Sequence, residues 1–177
     1  MSELLQGTQQ RTLVFFDFDN FKAFNDRYGF AVGDRALLMF AELLLKARHG
    51  DDVFVGHVGG DDFFMSVPAG VEEAEEVVRA IAGRFSRDVE SLYLPADRDA
   101  GGIWNKDRYG ETRFFPLLRA SAVLLPLPAS RAHLSLNGIV QQLAEGKAAA
   151  KASADGVARR GLPETPVAAR IAELKKL

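Results

Sequence analysis

One short apolar segment that ends in carboxylates restricts the fold of this 177-residue chain more than any other feature. Residues 12–18 read TLVFFDF, and this run of β-branched and aromatic residues predicts a buried strand. Asp17 and Asp19 stand two positions apart at its end, so their side chains share one face of the sheet. The segment predicts a carboxylate-bearing strand end.

A second pair of strand-like runs lies at residues 53–58 and 63–67. The residues between them, GGDD at 59–62, have the spacing and composition of a tight hairpin turn. A hairpin requires antiparallel pairing, so a parallel doubly wound sheet is excluded.

The remaining pattern alternates helices with strands. Helical spacing extends over residues 20–28, from Gly33 to His49, and over 71–89 and 134–152. Residues 113–127 contain one or two strands, and residues 95–112, rich in glycine and charge, are predicted to be a surface loop or small insertion. This order predicts an α/β (α+β) fold: a ferredoxin-like, palm-type, mainly antiparallel sheet flanked by helices.

Composition excludes several classes of protein. The chain has no cysteine, so thiolate zinc sites and disulfides are excluded, and a net charge of −2 argues against a nucleic-acid-binding protein. No apolar run is long enough to span a bilayer and no secretory signal is visible, so we expect a cytoplasmic chain without membrane contact.

The two carboxylate-bearing tips meet if their strands are neighbours in the sheet. Asp17, Asp61 and Asp62 then form an acidic site, and oxygen ligands without His or Cys favour Mg²⁺ or Mn²⁺. Two glycines in the turn allow backbone amides to approach a phosphate. Alone, each motif is weak, since an Asp at a strand end is commonly a turn former or helix cap.

The combined motif is far more specific. Residues 17–34 read DFDNFKAFNDRYGFAVGD, and 25 residues later the chain reads GGDDF at 59–63. The sequence resembles the GGDEF family, diguanylate cyclases that condense two GTP into cyclic di-GMP. It is most similar to a subgroup with a GHVGGDDF signature that often adjoins EAL domains. The resemblance implies an N-terminal extension at 1–11, a GGDEF domain at 12–160 and a tail at 161–177 that forms a short helix.

The resemblance also implies roles for individual residues. Asp17, Asp61 and the carbonyl of Phe18 would bind metal, and Asp61 and Asp62 would be catalytic. Asn25 and Asp34 would read guanine, because an amide and a carboxylate can together satisfy its hydrogen-bonding edge. The residues implied to bind the phosphates are Phe21, Lys22, Gly59, Gly60 and Lys151.

Some positions depart from the family pattern. His57 and Asp155 replace arginines, and Asp62 replaces a glutamate. The eleven residues before Thr12 do not contain the sequence motif of the helix that precedes the first strand in the family, and the nearest R-x-x-D, at 48–51, lies too far upstream for us to expect the usual product-inhibition site.

Three hypotheses remain from the sequence. The first is a diguanylate cyclase that uses two metal ions and works as a homodimer. The second is a module that binds GTP without turnover and regulates an attached phosphodiesterase or other output domain. The third, a different palm-type nucleotidyl enzyme, is disfavoured by the positions of Asn25 and Asp34.

Overall fold

The computed structural model of the chain describes residues 9–48, 52–107, 109–129 and 134–162. The strands are β1 (Arg11–Asp19), β2 (Phe54–Gly59), β3 (Asp62–Val67), β4 (Gly102–Lys106), β5 (Thr112–Pro116), β6 (Arg119–Leu127) and β7 (Val157–Arg159). The α-helices are α1 (Phe21–Tyr28), α2 (Phe30–Lys46), α3 (Val71–Val89), α4 (Pro95–Asp99) and α5 (Leu136–Ala152).

Five of the strands form one sheet in the order β2-β3-β1-β6-β7. All neighbours pair antiparallel except β6 and β7, which are parallel. The predicted mainly antiparallel sheet with flanking helices is therefore confirmed, as is the hairpin between β2 and β3. The carboxyl end of β1 lies next to the beginning of β3, and this pairing positions the site described below.

The two faces of the sheet carry separate cores because side chains alternate along each strand. On β1, Phe16 and Phe18 are buried in the larger core with α1, α2 and α3. Leu13 and Phe15 point to the opposite face and pack in a smaller core with α5. By the same alternation, Asp17 lies on the face that α5 covers.

Residues 95–112 were predicted to be a surface loop or a small insertion, and the loop alternative was wrong. Residues 95–99 form α4, and β4 pairs with β5 in a separate two-stranded sheet. Ile103 is only 2% exposed and packs in the larger core. In the sequence Ile103 is surrounded by glycines and charged residues, so the local pattern is typical of a loop.

Smaller differences concern the ends of the elements. Helix α2 begins at Phe30 rather than Gly33, directly after Gly29 breaks the preceding helix with a φ of 84°. The short strand β7 was not predicted. The helix predicted in the tail lies at 163–177, outside the described residues.

No helix in the described part of the chain has the length and apolar character needed to cross a bilayer.

Candidate functional site

Two aspartates face each other where β1 meets β3. The register pairs Asp17 with Asp62, and both side chains lie on the sheet face that α5 covers. Asp61 stands in the adjoining turn, so the predicted convergence of the two carboxylate-bearing tips is what the strand pairing produces.

Helix α5 places two lysines over this carboxylate cluster. Lys147 Nζ lies 2.7 Å from Asp62 Oδ1 and 3.0 Å from Asp17 Oδ2. Lys151, one turn later on the same helix face, forms an ion pair with Asp17 and lies 3.3 Å from the carbonyl oxygen of Phe18. Asp17 therefore contacts both ammonium groups with its two oxygens.

These contacts determine the charge states. Burial alone would raise the pKa of Asp17, but Lys151 and Lys147 outweigh it and lower that pKa. Burial would lower the pKa of Lys147, yet its carboxylate partners raise it. Burial and the charge of Asp17 together raise the pKa of Asp61, which forms no ion pair with the residues that the structure describes.

The donor atoms suit a small divalent cation. Two carboxylates and the Phe18 carbonyl are hard oxygen donors, and Mg²⁺ is commonly bound by one or two carboxylates together with substrate phosphates and water. Lys151 already places a positive charge against Asp17 and that carbonyl. Within the described ranges, no set of three or more His, Asp or Glu side chains forms a metal site, so substrate or water would have to complete the coordination.

Asp19 has a structural role, although it shares the face of Asp17. It is 7% exposed, accepts from Arg119 Nε at 2.6 Å and contacts Ser121 Oγ at 2.9 Å. The same guanidinium donates to the carbonyl of Lys151 at 2.8 Å. Arg119 thus fixes the end of α5, and with it the backbone that carries Lys151.

We expect Arg119→Met to destabilise the fold by about 1.5–3 kcal/mol, because the substitution removes the close guanidinium partner of the buried Asp19 carboxylate and leaves only Lys151, at 3.9 Å, as a nearby cation. Urea unfolding measures the change. The matched control is Arg84→Met, which removes an exposed i,i+4 pair with Asp88 and should cost only about 0.3–0.5 kcal/mol. Equal losses in the two variants would contradict the assigned role of Arg119.

The GGDD turn is open on its outer side. Gly59 and Gly60 have φ values of 145° and 57°, and a Cβ atom at either position would meet nothing within 4 Å. His57, which replaces the arginine of the family pattern, stacks on Phe63 and bonds the Gly60 carbonyl through Nε2 at 2.8 Å. The His57 imidazole therefore stabilises the turn through its bond to the Gly60 carbonyl.

The predicted guanine-reading residues lie around α1 and α2. Asn25 Oδ1 is buried and accepts no hydrogen bond from the described residues. Asp34 is exposed at the rim of a cavity of about 380 Å³, whose other lining residues are Leu37, Leu38, Ala41, His57 and Phe63. A largely apolar slot with one carboxylate at its rim can accept a flat base. Asn25 does not line this cavity but lies against Gly33, next to Asp34.

Gly33 leaves the space that Asn25 occupies. A Cβ at this position would lie 1.9 Å from Asn25 Oδ1, so we expect Gly33→Ala to displace the amide, weaken GTP binding and destabilise the fold by about 1–3 kcal/mol. Calorimetric GTP titration and thermal unfolding measure both effects. Gly83→Ala on α3 is the control, because its Cβ would meet only Arg87 at 3.7 Å, and it should leave GTP affinity unchanged.

The predicted phosphate-binding residues do not all converge. Lys22 is 79% exposed and pairs with Asp26 rather than with the carboxylate cluster. Phe21 packs its ring against Phe18, which leaves only its backbone for a ligand. The side chain of Asn20, which precedes α1, makes no capping hydrogen bond to the helix. The backbone N–H groups of the first turn can therefore donate hydrogen bonds to an anion.

Asp155, at the second arginine position of the family pattern, forms an ion pair with Arg79 at 2.6 Å.

Lys147 was missed by the sequence analysis. Its position four residues before Lys151, on the same helix face, is the signal that could have identified it.

Comparisons with known proteins agree with the resemblance. The family profile described as "Diguanylate cyclase, GGDEF domain" matches residues 1–98. The probable diguanylate cyclase DgcF of Escherichia coli K12 is 33% identical over 106 residues, which are 56% of this chain and 33% of that protein. Diguanylate cyclase VdcA of Vibrio cholerae is 32% identical over 101 residues, which are 57% of this chain and 28% of VdcA. The chain thus aligns with about a third or less of each relative.

Solved structures share the fold. The GGDEF domain of DgcB from Caulobacter crescentus, in complex with c-di-GMP, superposes with a TM-score of 0.63 at 16% identity, covering 92% of this chain and 84% of that one. The active GGEEF domain of a diguanylate cyclase from Vibrio cholerae gives a TM-score of 0.60 at 21% identity, covering 93% and 88%. At these identities the likeness concerns the fold alone.

Proposed function

Since this chain belongs to the GGDEF domain family, we propose that it is a diguanylate cyclase domain that condenses two GTP into cyclic di-GMP. One observation carries this proposal. The carboxylates at Asp17, Asp61 and Asp62 lie at one sheet edge, with two lysine ammonium groups in contact with Asp17. Such an arrangement of hard oxygen donors and cations suits phosphoryl chemistry.

The proposed reaction is an attack of one GTP's 3′-hydroxyl on the α-phosphate of another. The new ester bond forms as the bond to the β-phosphate breaks, pyrophosphate leaves, and the second attack closes the ring. A divalent ion at Asp17, Asp61 and the Phe18 carbonyl would supply charge neutralisation and an activated attacking oxygen. Lys151 would then release Asp17 and bind the triphosphate, with the first-turn amides of α1 beside it.

Asp61 is the proposed acceptor of the 3′-hydroxyl proton. Asp61 stands in the open turn beside Gly60, next to the proposed ion site, where its carboxylate would be within reach of the hydroxyl that the ion activates. Asp62, held by Lys147, would support the turn rather than take the proton.

Each chain would bind one GTP, so turnover needs two copies facing each other. A homodimer is therefore part of the proposal, and neighbouring signalling domains, including an EAL-type domain, remain proposed partners. The expected cofactor is Mg²⁺ or Mn²⁺.

The test is incubation of the purified chain with GTP and Mg²⁺ or Mn²⁺, followed by chromatography and mass analysis. Formation of cyclic di-GMP and pyrophosphate, at a rate that rises with the square of the dilute enzyme concentration, would support the proposal. The absence of product at high protein concentration with both metals would contradict it.

A second candidate is a GTP-binding regulatory module without turnover. The pairing of Asp155 with Arg79 favours it, because that position lacks a cation free to bind phosphate. Tight binding of GTP that is recovered unchanged would identify this function, and a change in the activity of a fused phosphodiesterase domain would then reveal its output.

A further inference from the structure

Two ammonium groups occupy two different positions among the site carboxylates. Lys151 contacts Asp17 and the Phe18 carbonyl, which are atoms of the proposed divalent-ion site. Lys147 lies elsewhere, between Asp17 Oδ2 and Asp62 Oδ1. The carboxylates therefore create two cation positions, and this chain supplies a lysine to each.

The two lysines are not held equally. The Lys147 ammonium lies 4.6 Å from the centroid of the Phe15 ring, between two carboxylates, and its side chain is 30% exposed. The Lys151 side chain is 39% exposed, and its backbone carbonyl rather than its ammonium is fixed by Arg119. Lys147 thus packs against an aromatic ring as well as two carboxylates, whereas the Lys151 ammonium contacts Asp17, the Phe18 carbonyl and, at 3.9 Å, Asp19.

We propose that Lys147 is a tethered cation that replaces a second divalent ion between Asp17 and Asp62, so that the domain binds one divalent ion per GTP instead of two. The proposal rests on the proposed function, because it assumes the ion site at Asp17, Asp61 and the Phe18 carbonyl. An ion entering that site displaces Lys151, which is then available to the triphosphate. An ion approaching the second position meets the ammonium of Lys147 and is repelled.

The placement of Lys147 explains why its charge persists. Its ammonium lies 2.7 Å from Asp62 Oδ1 and 3.0 Å from Asp17 Oδ2, and these two anions stabilise the charged form in its partly buried position. A positive charge between two aspartates also removes the repulsion that a second metal ion would otherwise be needed to offset. Lys147 acts here as a positioning residue for the carboxylates and sets the number of ions that they accept.

The test counts Mn²⁺ ions bound to the full chain by the loss of the free-ion electron paramagnetic resonance signal. It is done with a GTP analogue that has a methylene bridge between its α- and β-phosphates, so that no turnover occurs. We expect one Mn²⁺ per chain for the parent and for Lys147→Arg, which keeps the charge. Lys147→Met, which keeps the apolar stem over Phe15, should bind two.

Lys151→Met is the matched control from the same helix face. Removal of that ammonium should leave the count at one, because Lys147 still fills the second position, and should tighten Mn²⁺ binding to the chain without nucleotide. Thermal unfolding establishes that each variant is folded. The count for the parent tests the inference even if Lys147→Met does not fold.

Two results would overturn the inference while leaving the proposed function intact: two Mn²⁺ bound to the parent, or one Mn²⁺ bound to folded Lys147→Met. A failure of every variant to bind Mn²⁺ would contradict the ion site itself, and with it both the inference and the metal-dependent reaction. Formation of cyclic di-GMP by the parent, measured separately, keeps these cases apart.

Discussion

Asp61→Asn is expected to reduce cyclic di-GMP formation on the order of 100-fold or more while raising the melting temperature of the metal-free chain. The loss follows from removing both a proposed ion ligand and the proposed proton acceptor, each able to contribute several kcal/mol to the transition state. The gain in stability follows from the raised pKa of Asp61, because burial and the nearby Asp17 make its ionised form unfavourable in the folded chain.

The sign of this stability effect depends on pH. Because folding raises the pKa of Asp61 above its ordinary 3.8, the penalty is complete above the raised pKa and disappears below 3.8, where the group is protonated in both states. The higher melting temperature of Asp61→Asn should therefore shrink as the pH falls through this range. Scanning calorimetry in buffers containing a chelator measures it.

Asp17→Asn is the matched variant with the opposite stability effect. It should abolish turnover as well, but it should lower the melting temperature, because the lysines that lower the pKa of Asp17 lose their shared partner. If both variants kept the activity of the parent, the proposed catalytic site would be excluded. A decrease in melting temperature for both would contradict the electrostatic assignment of Asp61.

Asp34→Ala is expected to remove most of a 10- to 100-fold preference for GTP over ATP. In its proposed role the Asp34 carboxylate would accept from guanine N1–H and the exocyclic amine, whereas adenine presents an acceptor at N1. A bound base that covers the exposed Asp34 carboxylate without giving it donors would cost about 1–3 kcal/mol, and this cost corresponds to that range of discrimination. The position of Asp34 at the rim of a largely apolar cavity is consistent with this role.

Competition titrations of GTP against ATP measure the preference. Glu42→Ala is the control, because Glu42 is an exposed acid on the same helix that pairs with Lys46 at 3.6 Å and lies outside the lining of the cavity. Its preference should equal that of the parent. A preference for ATP in the parent, or a GTP preference that survives in Asp34→Ala, would show that guanine is read elsewhere.

The local sequence pattern was sufficient for strands β1, β2 and β3 of the sheet and for the carboxylates at their ends. The apolar run at residues 12–18 and the GGDD turn at 59–62 predict one strand and one hairpin. Side-chain direction in a strand depends only on position parity, so the face on which Asp17 lies follows from its position. Once β1 and β3 are neighbours, Asp17 must lie near the turn. The family motif added roles for Asn25 and Asp34, and those roles remain predictions.

The sequence pattern failed where a local signal was short or ambiguous. Strand β4 depends on one buried anchor, Ile103, within a run of glycines and charges. Strand β7 has only three residues and pairs parallel to β6, so no hairpin turn in the sequence indicates it.

Only the tertiary structure decided which side chains meet the carboxylates. Asp17 and Asp19 look equivalent in sequence, yet Asp19 is held by Arg119, a residue 100 positions away, whereas Asp17 contacts lysines of α5. The position of α5 on the sheet depends on the sum of many apolar contacts around Ile139, Leu143 and Ala150, and no spacing in the sequence encodes that sum. The sequence by itself therefore determined the acidic edge, and helix packing determined the cations that reach it.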